Sequence, residues 1–62
     1  MKRYTEQQLW AFVNRANTRE KVATAEAWLR RYASKVDMEI PLYDDLMNTL
    51  AYISRELYLE AR

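Results

Sequence analysis

Apolar positions recur along this chain in steps of three and four, and they do so in three separate registers. Leu9, Phe12, Val13 and Ala16 share one face when successive residues turn by about 100°, and Trp10 stands at the edge of that face. Just ahead of them, Thr5-Glu6-Gln7-Gln8 fits a capping box, with a hydroxyl at the cap and Gln three residues later. The pattern predicts a first helix over about residues 5–16.

A second stripe follows in Val22, Ala25, Leu29, Tyr32, Ala33 and Val36, flanked by Trp28. Continued from Leu9 in one straight helix, it would lie roughly 180° from the first stripe, so that helix would face two cores on opposite sides. A break at Asn17-Thr18 removes the conflict. Asn tolerates the left-handed conformation at a helix end, and Thr18 or Asn17 can cap the helix that follows. The second helix is expected over about 18–36, next to the first in space because the loop is short.

The third register opens after Asp37-Met38-Glu39-Ile40. Pro41 disfavours helical geometry at Ile40 and suits the first turn of a new helix. Leu42, Leu46, Leu50, Ile53 and Leu57 form the main stripe, with Tyr43 beside it, and Met47, Ala51, Ser54 and Tyr58 widen it. This helix is expected over about 41–61, with Asp44 and Asp45 in or near its first turn, where negative charge is favoured. Its apolar arc covers nearly half the circumference and suits packing against both other helices.

The expected fold is all-α: a three-helix bundle with short loops, one domain spanning residues 1–62. Its core is expected to comprise Leu9, Phe12, Val13, Val22, Ala25, Leu29, Tyr32, Val36, Leu42, Leu46, Leu50, Ile53 and Leu57. A helical hairpin completed by a second copy is the alternative.

Composition narrows the chemistry. Half of the residues are hydrophobic and 31% are charged, a globular balance. With no glycine and one proline, tight strand turns have little to build on. Cysteine and histidine are both absent, which removes thiolate chemistry, the commonest general base and the commonest metal ligand. Ser34 and Ser54 have no histidine to activate them. Asp44 and Asp45 are adjacent and point about 100° apart, so they converge poorly on one ion. Glu56 and Glu60 share a face, but di-iron bundles add a Glu-x-x-His motif that this chain cannot supply. No phosphate loop is expected without glycine. The sequence therefore predicts no catalytic residues, no metal site, no cofactor and no small-molecule substrate.

Lys2 and Arg3 are followed by a polar run, and no stretch approaches the ~18 apolar residues of a membrane span. The expected compartment is the cytoplasm, with no membrane partner.

Charge divides the chain. Residues 1–36 hold eight Lys/Arg against three Asp/Glu, a net +5; residues 37–62 hold two against six, a net −4. The halves can attract each other within one molecule or head to tail between molecules, and charges that merely coat solvent faces give the plainer reading. On helix two, Arg19, Arg30, Arg31 and Lys35 lie away from the core stripe, and Lys2, Arg3 and Arg15 can add to them; such a face can track phosphates. Glu20 and Glu26 interrupt it.

Two features point instead to a protein partner, including a second copy of the chain. Tyr52 and Leu59, seven apart, lie on the side of helix three away from Leu46 and Leu50, beside Asn48 and Arg55, and can mark a contact patch. Tyr4, Trp10, Trp28 and Tyr58 are further aromatics at the margins of the core. On helix two, Ala23 and Ala27 permit close helix approach, although alanine's helix propensity is the cheaper explanation. The leading expectation is a small interaction or regulatory module that self-associates; nucleic-acid binding through helix two is the alternative.

Overall fold

A computed structural model of the chain describes residues 3–60, which form three helices: α1 (Glu6–Asn14), α2 (Arg19–Val36) and α3 (Ile40–Glu60). Lys2, expected in the basic set, and Ala61, expected to end the third helix, lie outside the described residues.

Each boundary has a local cause. The Thr5 hydroxyl accepts the Gln8 backbone N–H at 3.1 Å, and the Gln8 side-chain oxygen accepts the Thr5 N–H at 2.9 Å, completing the capping box. α1 closes with i→i−3 bonds: the Arg15 N–H donates to the Phe12 carbonyl and the Ala16 N–H to the Val13 carbonyl. This tightened turn ends the helix at Asn14, two residues short of the expected limit.

The break between α1 and α2 falls where the phase reversal requires it, but by a different device from the one expected. Asn17 does not take the left-handed conformation; Asp37 is the residue with positive φ among those described. Thr18 is the cap of α2, its hydroxyl accepting the Lys21 N–H at 3.1 Å. Glu20 in the first turn and Lys35 in the last complement the helix dipole. At the far end Asp37 turns left-handed at φ 57°, ψ 52°, and the Met38 N–H returns to the Ala33 carbonyl at 3.2 Å, a Schellman closure.

α3 starts at Ile40, one residue before the expected position. Pro41 sits in the first turn, where its missing N–H sacrifices no helical bond. Asp44 and Asp45 lie near the first turn of α3 and not in it: the first turn is free of acidic residues, and both follow directly after it, exposed to solvent. The helix dipole acts on them more weakly than on a first-turn residue.

The core joins Leu9, Val13 and Ala16 of α1 and its following turn to Val22, Ala25, Leu29 and Tyr32 of α2 and to Leu46 and Leu50 of α3. Val36, Leu42, Ile53 and Leu57, expected inside, are partly buried and pack around it with Met38 and Met47. α3 packs against both other helices, as its wide arc requires, and the α1–α2 contact is the thinnest of the three. One expected core residue is not there: Phe12 is 37% exposed. It projects about 60° from the Leu9 direction, toward the α2 side of α1, and the thin α1–α2 contact leaves it partly uncovered.

Candidate interaction surfaces

Trp28 is the centre of a four-ring cluster that joins α1, α2 and the segment before α1. It stacks on Tyr32 with centroids 4.9 Å apart and planes 10° from parallel. Phe12 tilts against its ring at 4.9 Å, and Tyr4 meets it edge-on at 5.5 Å. Tyr32 is buried, Trp28 is half-buried, and Tyr4 and Phe12 lie toward solvent. Offset and edge-on pairs of this kind add to the area they bury, so the cluster fixes the position of α1 on α2 while keeping an aromatic surface outside.

Two recesses open beside this cluster. One, of about 390 Å³, runs along Phe12, Arg15, Ala16, Glu20, Lys21, Thr24 and Ala25. The other, of about 350 Å³, runs along Tyr4, Gln8, Ala11, Phe12, Arg15 and Trp28. They adjoin at Phe12 and Arg15 and together make up the groove between α1 and α2; no α3 residue lines either part. Arg15 stands on the α1 wall, and Lys21 on the α2 wall, where its amine donates to the Asn17 side chain at 3.2 Å. Lys21, Trp28 and Lys35 stand seven apart and share one flank of α2, with Arg31 close by.

The second surface is the outer arc of α3. Tyr52 is 64% exposed and Leu59 48% exposed. Both project away from Leu46 and Leu50, and Asp45 and Glu56 share their strip. Tyr58, 52% exposed, lies on a different flank of α3, with the Arg19 guanidinium 5.3 Å from its ring centre. Trp10 is half-buried and packs against the core, which accounts for most of its apolar surface within one molecule.

The basic positions of α2 divide between two directions. Arg30 and Arg31 are adjacent and diverge by about 100°. Lys35 goes with Arg31, on the Trp28 flank, while Arg19 goes with Arg30 on the other. All four are exposed. Ala23 and Ala27 are exposed as well, with no helix of the bundle against them.

A third recess, of about 370 Å³, lies where the start of α1 meets the α2–α3 turn, lined in part by Arg3, Glu6, Asp37 and Glu39. No group of three or more His, Cys, Asp or Glu side chains placed to hold a metal occurs among the described residues. No helix among them is long and apolar enough to cross a membrane.

Sequence reasoning missed the groove. The sequence carries no sufficient signal for it: the roughly 60° offset of Phe12 also fits a buried stripe, and the small or short residues Ala11, Thr24 and Ala25 line the recess only once α1 and α2 are placed side by side. Compared with family models, with curated proteins and with solved structures, the chain matches none.

Proposed function

We propose that this chain is a small helical protein-interaction module that associates with itself, and that any regulatory role is exercised through that contact. The observation that carries this reading is the outer arc of α3. Tyr52 and Leu59 remain exposed on a helix whose opposite face already fills the core with Leu46 and Leu50. Neither side chain is needed to close the bundle, and an aromatic–aliphatic pair set in a charged rim is the composition of a contact patch. Small domains without disulfides or a structural metal commonly gain stability by association.

The module works without catalysis or cofactor, by binding alone, and in the cytoplasm. Support for the first comes from the missing histidine and cysteine. Phosphate tracking by Arg19, Arg30, Arg31 and Lys35 is the lesser reading, because these cations diverge around α2 and Arg19 is engaged with Tyr58.

Molar mass in solution tests the proposal. Light scattering should give a mean mass that rises with concentration into the high micromolar range, and Tyr52→Glu plus Leu59→Glu should abolish the rise. A strictly monomeric wild-type chain would overturn self-association. A shift of DNA or RNA at low salt that Arg30→Glu plus Arg31→Glu removes would favour the nucleic-acid reading instead.

A further inference from the structure

The groove between α1 and α2 and the outer arc of α3 are complementary in shape and sign, and they cannot meet within one molecule. The groove is a recess lined by Tyr4, Phe12 and Trp28 together with Arg15 and Lys21, and Arg31 and Lys35 continue the α2 flank. Glu20 is its opposing charge. The α3 arc is a ridge: Tyr52 and Leu59 stand out of it, Asp45 and Glu56 share the strip and Asp44 lies nearby, with Arg55 as the opposing charge. No α3 residue lines the groove, while the ridge points away from the core that α3 shares with α1 and α2. The two surfaces therefore lie on opposite sides of a body 20 × 18 Å across.

We infer that the occupant of the groove is the α3 ridge of a second copy of this chain, with Tyr52 and Leu59 seated against Phe12 and Trp28 and with Asp45 and Glu56 facing Arg15 and Lys21. This inference rests on the self-association proposed above and names its two surfaces. Charge complementarity selects a ridge over a second groove, because groove against groove sets cation against cation and ridge against ridge sets anion against anion. Two different patches on opposite sides make a heterologous contact, which repeats into open chains rather than closing at a dimer. A standard interface takes about 800 Å² from each partner, roughly a sixth of this molecule's 4886 Å². The charges that face each other across the contact make it dependent on concentration and sensitive to salt.

The test is a mixing experiment on the full chain, read by sedimentation at low salt. Arg15→Glu plus Lys21→Glu blocks the groove and leaves the ridge intact. Tyr52→Glu plus Leu59→Glu blocks the ridge and leaves the groove intact. All four positions are exposed or half-exposed, and circular dichroism checks that both variants keep their helix content. Asp45→Lys plus Glu56→Lys is a second ridge variant for use where the first loses helicity. Wild type should grow past twice its 7.5 kDa mass without a dimer ceiling. Each variant alone should stay at single mass, and a 1:1 mixture should form a capped pair at twice that mass. A wild-type ceiling at the dimer, or either variant associating as wild type does, overturns the pairing. If wild type associates but the mixture does not pair, the pairing fails while self-association stands. If wild type stays monomeric, both fail.

Discussion

The backbone N–H of Tyr4 donates to the hydroxyl of Tyr32 across 2.8 Å, joining the residue before the α1 cap to a buried ring twenty-eight positions away on α2. The bond does for the thin α1–α2 seam what apolar contact does elsewhere in the bundle. It also brings the Tyr4 ring to 5.6 Å from Tyr32 and into the Trp28 cluster, which lines one end of the groove. Tyr32→Phe keeps the ring and removes the acceptor. A hydrogen bond of this kind contributes about 1 kcal/mol net, and in a domain of this size that lowers Tm by about 4–8 °C. The Tyr4 amide should also exchange faster with solvent. An unchanged Tm with unchanged amide exchange would show that the bond does not hold the seam.

Asp37 ends α2 in the left-handed region, where a side chain beyond glycine is disfavoured by about 1–2 kcal/mol. Asp37→Gly should raise Tm, and Asp37→Val, which adds a β-branch at positive φ, should lower it. Thermal melts of the two variants check the sign. Equal melting temperatures would mean that the α2–α3 turn does not need this conformation.

Thr18 caps α2 at the point where the apolar stripe changes phase, so Thr18→Ala should destabilise by about 1 kcal/mol. Thr18→Asp should restore the loss by keeping an acceptor for the Lys21 N–H. Urea midpoints read both. A Thr18→Ala midpoint equal to wild type would place the start of α2 elsewhere.

Three helices and most of the core were legible because periodicity reports which way each side chain leaves its helix. The Leu9 and Leu29 stripes had to belong to different helices, and they do. The same rule located Tyr52 and Leu59 off the core face. Phe12 was misplaced because periodicity gives a direction but not how closely the neighbouring helix approaches. Its offset of about 60° from Leu9 is inside the range of a buried stripe, and only the thin α1–α2 contact leaves it open. Asp37 was illegible for a related reason: Asn17 and Asp37 both tolerate left-handed backbone, and helix closure, a tertiary outcome, selects between them. The groove needed two helices to be placed before it could be seen at all.

Phe12 gives that difference a magnitude. Leu29→Ala in the closed core should cost about 2–5 kcal/mol, which is a large part of the roughly 3–9 kcal/mol expected for a chain of this length. Phe12→Ala should cost less than truncation of a fully buried phenylalanine, about 3–5 kcal/mol, and less than Leu29→Ala, because its ring already contacts water. Denaturant melts of the two variants decide it. Equal losses would return Phe12 to the core and close the groove.

The most direct measurement is a dilution series of backbone amide spectra on the wild-type chain. If the molecule associates by seating its α3 ridge in the α1–α2 groove, the amides around Tyr52 and Leu59 and those around Phe12, Arg15 and Trp28 should shift together as concentration rises. Leu29 and Leu46, buried in every copy, should stay in place. Spectra that do not change with concentration, or shifts confined to one of the two surfaces, would contradict it.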